Sequence, residues 1–167
     1  MHHLYIITGA SRGLGLALAR QLLSPAHRLL CLSRQVNDTL AEQARAAGAS
    51  CEQWRQDLAE APAAAQRLAA WLNGHDPRAV ASATLINNAG VISRVGPLED
   101  SEPTDLAHAL RVGLEAPLLL TGAFLQATRD WTAPRKVLNV SSGLGRRAMA
   151  GSAAYCAAKA GMDHFSR

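Results

Sequence analysis

Short apolar runs alternate with longer segments of helical periodicity along the whole chain. The apolar runs have the length of buried strands, and we predict strands at residues 4–8, 28–33, 51–55, 83–87 and 136–141. Between them, apolar residues recur three and four positions apart, which predicts helices over residues 13–23, 38–47, 61–72, 103–130 and from Ser152 onward. Because strands that alternate with helices usually pair in parallel, the pattern favours an α/β sheet covered by helices on both faces.

The connections between these elements limit the topology and the helix ends. Right-handed crossovers produce an open, doubly wound sheet, most simply in the strand order 3-2-1-4-5. Asp38 is expected to cap the second helix and Pro117 to kink the fourth. The leucines of that long helix fall near one face: Leu106, Leu110, Leu114, Leu118 and Leu125. No linker, repeat or low-complexity segment divides the chain, so residues 1–167 are predicted to form one domain.

The turn from Thr8 to Gly15, which reads Thr-Gly-Ala-Ser-Arg-Gly-Leu-Gly, joins the first predicted strand to the first helix. A glycine turn at a helix N-terminus exposes backbone N–H groups and the positive end of the helix dipole, and both favour a phosphate. Gly9 would permit the turn, Gly13 the close approach of a pyrophosphate, and Gly15 the contact of helix and strand. A glycine turn without a ligand is the alternative, but the position after the first strand favours a nucleotide site.

A second polar turn, Asn87-Asn-Ala-Gly90, follows the fourth predicted strand. Ligands of open α/β sheets bind outside the carboxyl ends of the strands. This turn would therefore lie beside the glycine turn, where its backbone could contact a cofactor ribose or adenine. An Asn/Gly turn without a ligand is the alternative.

Tyr155 and Lys159 lie four residues apart in the last predicted helix, and Ser142 follows the fifth strand. Positions i and i+4 share a helix face, so the ammonium would stand beside the phenol. An ammonium there favours the phenolate, which suits proton donation to an incipient alkoxide, and Ser142 would hydrogen-bond the same substrate oxygen. An amphipathic helix with a surface lysine is the alternative for this pair alone. The occurrence of all three signals in one chain favours a catalytic site.

Together these motifs resemble those of the short-chain dehydrogenase/reductases over the whole chain. The matching motifs, in chain order, are Thr8-Gly-x-x-x-Gly-x-Gly15, Asp57-Leu58, Asn87-Asn-Ala-Gly90, Ser142 and Tyr155-x-x-x-Lys159. The resemblance implies a Rossmann-type fold, a nicotinamide cofactor and hydride transfer to or from a carbonyl carbon. Within the family, Val95-Gly-Pro-Leu-Glu99 and Ser141-Ser-Gly143 look most like sepiapterin-reductase-like and benzil-reductase-like members.

The resemblance also implies roles for the matching positions. Tyr155 would be the acid/base, Ser142 would polarise the carbonyl, and Lys159 would support the phenolate and hold the nicotinamide ribose. Asp57 would contact the adenine ring, and the segment from Asn88 to Gly90 would line the cofactor. The family pattern implies no metal site.

The end of the second strand indicates which dinucleotide binds. NAD-binding proteins usually place a carboxylate there to hold the ribose 2′-OH, whereas this chain has Ser33-Arg34. The Arg34 guanidinium, with Arg12 as a second cation, suits a 2′-phosphate, and we predict NADP(H) rather than NAD(H). Two merely solvated arginines are the alternative. The complete predicted cofactor-binding set is Gly9, Ser11, Arg12, Gly13, Leu14, Gly15, Ser33, Arg34, Asp57, Leu58, Asn88, Ala89, Gly90, Tyr155 and Lys159.

Composition narrows the class and setting of the protein. A chain of 167 residues that is 49% hydrophobic can build one sizeable core. Its net charge of +4 comes mainly from scattered arginines without interleaved aromatic residues, so nucleic-acid binding is not expected. The three cysteines form no C-x-x-C pair, no apolar run has the length of a membrane span, and no signal peptide is recognised. A cytoplasmic protein without a membrane partner is therefore expected.

The chain departs from the family pattern at two places. The family usually has an asparagine in the middle of the long helix, thought to hold a water that links the active-site lysine to solvent, where this chain has Gly113. We therefore expect slow turnover, which replacement of Gly113 by Asn would test. The chain also ends at Arg167, inside the final helix, whereas family members continue through two further strands and a substrate-covering loop. The expectation is a fragment or a naturally shortened protein.

Two functions follow from these features. The leading prediction is an NADPH-dependent carbonyl reductase that acts on a small-molecule ketone or aldehyde. The alternative is a dinucleotide-binding sensor or structural subunit, which the missing asparagine and the missing C-terminal segment favour. Because family members commonly form dimers or tetramers, a homodimer or homotetramer is expected in either case.

Overall fold

Five parallel strands form one sheet in the structure, a computed structural model that describes all residues from Met1 to Arg167. The strands are β1 (His2–Thr8), β2 (His27–Ser33), β3 (Ser50–Arg55), β4 (Val80–Asn87) and β5 (Arg135–Asn139). Their order is β3-β2-β1-β4-β5, and every neighbouring pair is parallel. The predicted doubly wound α/β fold and its strand order are confirmed.

Helices cover both faces of this sheet. They are α1 (Gly13–Gln21), α2 (Asp38–Ala46), α3 (Ala61–Asn73), α4 (Pro103–Leu110), α5 (Ala116–Ala127) and α6 (Ala153–Phe165). None of them combines the length and the apolar character that a membrane crossing requires.

The core consists of two clusters, one on each face of the sheet. On one face, Ile6 of β1 and Leu85 of β4 join side chains of α3 and α5 in a cluster of 19 buried residues. On the other face, Ile7 joins residues of α1 and α2 in a cluster of 7. Because successive strand residues point to opposite faces, Ile6 and Ile7 are both fully buried. Burial on both faces is the reason that these strands read as continuous apolar runs.

The long helix predicted over residues 103–130 is wrong as a single element. The structure has two helices joined by a π-helical segment, Arg111–Glu115, and the second helix ends at Ala127. Pro117 lies two residues beyond the end of this segment. Its ring nitrogen has no hydrogen to donate to the carbonyl of Gly113, four residues earlier, so the irregularity falls before the proline.

Three of the five leucines predicted to form a stripe on this long helix face outward. Leu110, Leu118 and Leu125 are 37%, 47% and 45% exposed. The face that enters the core carries other residues, namely Val112, Ala116, Leu120 and Phe124. These three leucines are therefore surface residues, whereas Leu106 and Leu114 are partly buried.

Several element ends also differ from the expectation; β4, for example, begins at Val80 rather than Ala83. The N-cap of α2 is Asn37, whose side-chain oxygen accepts the Leu40 N–H at 2.9 Å, rather than Asp38. Asp38 is the first helical residue, where its negative charge still complements the helix dipole. β5 ends at Asn139 instead of Ser141, which leaves Ser141 and Ser142 in the loop beyond the sheet.

Candidate cofactor cleft and active site

A cavity of about 650 Å³ lies at the carboxyl ends of β1, β2, β3 and β4. Eleven of the predicted cofactor-binding residues line it: Gly9, Ser11, Arg12, Gly13, Ser33, Arg34, Asp57, Leu58, Asn88, Ala89 and Gly90. They come from four turns that are far apart in the chain. The cavity has the volume and the placement expected of a ligand site in an open α/β sheet.

The three glycines of the first turn meet different steric demands. Gly9 and Gly13 have positive φ angles of +69° and +56°. A Cβ atom on Gly15 would collide with the Gly9 carbonyl oxygen and would lie 2.5 Å from Asn88 Nδ2. A Cβ on Gly13 would meet no atom within 4 Å, so this glycine faces open space. Gly15 thus permits tight packing, whereas Gly13 leaves the turn open towards the cavity.

The N-terminus of α1 lies at this open side without a side-chain cap. The N-cap residue Arg12 makes no capping hydrogen bond, and the first turn contains no acidic residue. The N–H of Leu16 donates to the Arg12 carbonyl at 3.3 Å, and the preceding N–H groups have no acceptor within the helix. Free donors and the helix dipole make this end suitable for a phosphate.

Thr8 ties the first turn to the turn that follows β4. Its buried Oγ1 accepts the backbone N–H groups of Asn88 and Ala89, both at 3.0 Å. In the other direction, Asn88 Nδ2 donates to the carbonyls of Thr8 at 2.9 Å and Gly9 at 3.3 Å. The two turns therefore form one hydrogen-bonded unit at the floor of the cavity.

The end of β2 supplies a hydroxyl and a cation to the cavity. Ser33 Oγ accepts the Ser11 N–H at 3.1 Å, which leaves the Ser33 hydroxyl hydrogen free to donate. Arg34 and Arg12 are exposed at the cavity edge, and neither belongs to the ion pairs of the structure, Arg78–Asp76 and Arg146–Asp163. With no carboxylate among the residues at the end of β2, the local charge is positive. These features make the cavity edge suitable for an anionic ligand.

Lys159 is almost completely buried on α6, with 4% of its surface exposed. Its Nζ donates to the Val140 carbonyl at 2.6 Å and lies 5.7 Å from the centre of the Tyr155 ring. Burial lowers the pKa of Lys159, and the Asp163 carboxylate partly opposes this shift. A Cβ on Gly90, which lines the cavity, would lie 3.9 Å from Nζ, so the lysine reaches the edge of the cleft.

Ser142 stands in the loop between β5 and α6. Its Oγ accepts the Leu144 N–H at 3.2 Å and caps the short turn Gly143–Gly145. Since the oxygen acts as the acceptor in that bond, the hydroxyl hydrogen remains available to an external acceptor. Tyr155, in the first turns of α6, is partly buried.

Five predicted site residues do not line the cavity itself. The Leu14 side chain is 55% exposed, and Gly15 packs beneath the first turn. Ser142, Tyr155 and Lys159 lie beyond the Gly90 edge, on the side of β5 and α6. Their catalytic roles stay predictions.

Sequence reasoning missed six lining residues: Leu32, Gln35, Gln56, Val91, His108 and Val112. The first four are direct neighbours of predicted motif residues, so an extension of each motif by one position would have found them. His108 and Val112 belong to α4 and the π segment. No local signal marks these two, because only the packing of that helix against the sheet brings them to the cavity.

Residues 3–167 match the family model described as short chain dehydrogenase. The chain belongs to the short-chain dehydrogenase/reductase family. It is 33% identical over 162 residues to the benzil reductase ((S)-benzoin forming) of Bacillus cereus, covering 97% of this chain and 65% of that protein. It is 32% identical over 168 residues to the sepiapterin reductase of Bos taurus, covering 94% of this chain and 62% of that protein. The chain thus spans just under two thirds of the length of these relatives.

Solved structures of the family superpose on the fold. A short-chain dehydrogenase/reductase from Burkholderia vietnamiensis has a TM-score of 0.85 and 38% identity, with 100% of this chain and 78% of that chain covered. A metagenomic short-chain oxidoreductase in complex with NADP has a TM-score of 0.81 and 33% identity, with 98% and 72% covered. The resemblance predicted from the motifs is confirmed.

Proposed function

We propose that the protein reduces a ketone or aldehyde to an alcohol with NADPH as the hydride donor. The observation that carries this proposal is the approach of Lys159 to the cavity: its Nζ would lie 3.9 Å from a Cβ built on Gly90, which lines the cavity. A dinucleotide with its phosphates at α1 would extend past Gly90 towards Tyr155. The benzil reductase relative and the NADP-bound structural relative support the same assignment.

Different residues around the cavity would bind different parts of the cofactor. The uncapped N-terminus of α1 would bind the pyrophosphate, and Arg12 and Arg34 would bind the 2′-phosphate. Lys159 would donate to the nicotinamide ribose as well as to Val140. When bound, NADPH supplies the hydride that reduces the carbonyl carbon.

The remaining chemistry belongs to side chains of this chain. Ser142 would donate its free hydroxyl hydrogen to the carbonyl oxygen and polarise it. Tyr155 would transfer its phenolic proton to the same oxygen as negative charge develops there. The Lys159 ammonium, held in a buried position by the Val140 carbonyl, would stabilise the resulting phenolate.

The preference for NADPH can be tested at Arg34. Arg34→Ala is expected to weaken NADPH binding by at least about tenfold and to leave NADH binding unchanged, because a charge-assisted hydrogen bond contributes roughly 1.5–3 kcal/mol. Isothermal titration of both nucleotides measures the two constants. Arg78→Ala is the control of equal charge, since Arg78 is exposed and pairs only with Asp76. An equal loss for both nucleotides, or wild-type affinity for NADH that matches NADPH, contradicts the assignment.

A second candidate is a nucleotide-binding subunit without turnover. Gly113 favours it, because a glycine in the buried π segment offers no side-chain amide to a proton relay. One experiment distinguishes the two functions: NADPH absorbance is followed in the presence of benzil, other diketones and aromatic ketones as candidate substrates. Oxidation supports the reductase, whereas tight NADPH binding without oxidation supports the subunit.

We also propose that the protein forms a homo-oligomer through the outward leucines Leu110, Leu118 and Leu125. Exposed apolar side chains in a row along one helix pair are costly in water and suit a partner surface of the same kind. Analytical ultracentrifugation should show a dimer or tetramer that Leu118→Arg dissociates. A wild-type monomer contradicts the proposal.

A further inference from the structure

Asp163 is a largely buried carboxylate on α6, next to the residues that we propose for catalysis. Tyr155, Lys159 and Asp163 follow each other at intervals of four residues, so they lie on one side of the helix. The Asp163 side chain is 19% exposed, and its Oδ2 atom is buried and makes no hydrogen bond. A carboxylate oxygen in such a position is costly unless nearby charges or donors stabilise it. The groups around Asp163 must therefore stabilise its charge.

Two residues of the loop between β5 and α6 act on this carboxylate. Arg146 Nε lies 3.5 Å from Asp163 Oδ2. The Ser141 hydroxyl, followed by the charge of Arg146, holds the pKa of the Asp163 carboxyl below its usual value, although partial burial opposes this shift. Ser141 precedes Ser142, and Arg146 follows the short turn that Ser142 caps. The carboxylate is therefore linked to the loop on both sides of this turn.

The same turn rests directly on the backbone of α6. A Cβ atom on Gly145 would lie 2.9 Å from the carbonyl carbon of Lys159 and 3.0 Å from its oxygen. The segment before the turn supplies the Val140 carbonyl that accepts from Lys159 Nζ at 2.6 Å. The position of Ser142 relative to Tyr155 and Lys159 therefore depends on how firmly this loop is held on the helix.

We propose that Asp163 is a positioning residue, whose carboxylate holds the loop around Ser142 against α6. It does so through Ser141 and Arg146. Asp163 itself would touch neither substrate nor cofactor, since it lines a separate cavity of about 820 Å³ with these two residues and does not line the cofactor cavity. The inference rests on the proposed function, because the loop affects turnover only if Ser142 acts on the substrate.

The negative charge of Asp163 also acts on the buried lysine. Burial lowers the pKa of Lys159, and the Asp163 carboxylate opposes this shift. The other charged groups that act on the carboxylate are Arg146 and Arg167, and no charged group of α4, α5 or the π segment contributes to the pKa of either residue. Without the carboxylate, Lys159 should lose its proton at a lower pH.

The first test needs no substrate. The chain contains only two lysines, Lys159 and the exposed Lys136, so isotope-labelled lysine provides two side-chain NMR signals that can be followed against pH. In Asp163→Asn, Lys159 should titrate at a lower pH than in the wild type, whereas Lys136 should not change. Hydrogen exchange of the Gly145 and Arg146 amides, which are bonded within the turn, should become faster.

The second test measures turnover as NADPH oxidation with benzil. Asp163→Asn should lower kcat by about tenfold and leave the NADPH dissociation constant within about twofold, because displacement of a reacting group slows chemistry more than binding. The alkaline limit of kcat should move to lower pH, and Asp163→Glu, which keeps the charge, should recover most of the loss. Asp130→Asn is the matched control, since Asp130 is exposed and belongs to neither ion pair of the structure.

Unchanged exchange of the turn in Asp163→Asn overturns the proposal, whatever happens to turnover. Faster exchange with unchanged kcat overturns it as well, because the loop would then not affect the reaction. A wild-type protein that binds NADPH but reduces no substrate overturns the proposed function instead, and amide exchange and the lysine titration then decide whether Asp163 holds the loop. If Asp163→Asn does not fold, as its thermal midpoint would show, Ser141→Ala removes the hydroxyl and carries the same expectation.

Discussion

The two ends of the cleft are built in different ways. The nucleotide end, made by the turns after β1 to β4, depends on backbone groups in fixed contact: Thr8 is 1% exposed, and Gly15 has no room for a methyl group. The end that we propose for catalysis, with Ser142, Tyr155 and Lys159, lies beside the edge strand β5, where Leu138 is 50% exposed. We therefore expect nucleotide binding to depend on tight backbone packing at the first end, and the proposed chemistry to depend on a few side chains at the second.

The sharpest test of this contrast is Tyr155→Phe, which should slow turnover strongly and leave NADPH binding unchanged. Loss of the phenolic proton is expected to lower the reduction rate by roughly 10²–10⁴-fold, the usual contribution of a general acid. The NADPH dissociation constant and the thermal midpoint should stay the same. Tyr5→Phe is the matched control, because Tyr5 is the other of the two tyrosines and lies on β1. Substantial residual turnover in Tyr155→Phe would show that another group supplies the proton.

At the nucleotide end, Gly15→Ala should damage stability and binding together. The added methyl group would meet the Gly9 carbonyl and the Asn88 amide, and such overpacking costs about 1–3 kcal/mol of unfolding free energy. Denaturant titration measures the loss, and NADPH titration should show weaker binding in the remaining folded protein. Gly143→Ala is the control, since a Cβ there meets no atom within 4 Å. Equal stability of the two variants would contradict the steric account.

Gly113 connects the two ends, and its replacement should have an intermediate effect. A Cβ on Gly113 would lie 3.0 Å from the Ala158 Cβ on α6, the helix that carries Tyr155 and Lys159. Gly113→Asn alone should therefore destabilise the protein by about 1–2 kcal/mol, even if the amide assists turnover. In an Ala158→Gly background the same change should cost less, which a double-mutant cycle on unfolding free energy and turnover measures. Additive effects would mean that the two positions do not interact.

The smallest effect on unfolding free energy is expected at His2, which lies at the amino end of β1, away from the cleft. Burial, and then the positive charge of Arg28 and the nearby His75, lowers the pKa of His2 from its usual 6.5. The unfolded chain then binds the proton more readily, so unfolding free energy should fall as the pH drops below about 6.5. His2→Gln should flatten this dependence in denaturant titrations on either side of that pH, whereas His164→Gln should not. NADPH affinity of the folded protein should be the same in both variants.

The local features of the fold were predictable from the sequence. Strands buried on both faces require apolar runs. The runs that contain Ile6, Ile7 and Leu85 therefore identify these strands without any information about the neighbouring strands. The positive φ angle of Gly9, +69°, could also be inferred, because it is a property of the turn itself, whereas the close contacts of Gly9 and Gly15 with Asn88 depend on the distant turn after β4. The meeting of four turns in one cavity then follows from the rule that the carboxyl ends of parallel strands share an edge.

Features that depend on packing between distant segments could not be predicted in this way. The continuous apolar periodicity of residues 103–130 predicts one helix, whereas Gly113 packs against α6 within a π segment and Pro117 removes a hydrogen bond beyond it. The N-cap of α2 is Asn37, whose side-chain oxygen accepts the backbone N–H of Leu40. No sequence motif identifies His108, because only the packing of α4 against the sheet places it at the cavity.

The hydrogen bonds of Thr8 have a consequence for the order in which parts of the chain fold during synthesis. A hydroxyl in the eighth position secures amides eighty residues later, so the first turn gains its final shape only when β4 has paired with β1. A ribosome-bound chain that ends before Asn88 should therefore be unable to retain NADPH, even with β1, α1 and β2 fully synthesised. Affinity for the nucleotide should not arise before the segment up to Gly90 has left the exit tunnel, and full affinity should also require the later cavity residues His108 and Val112.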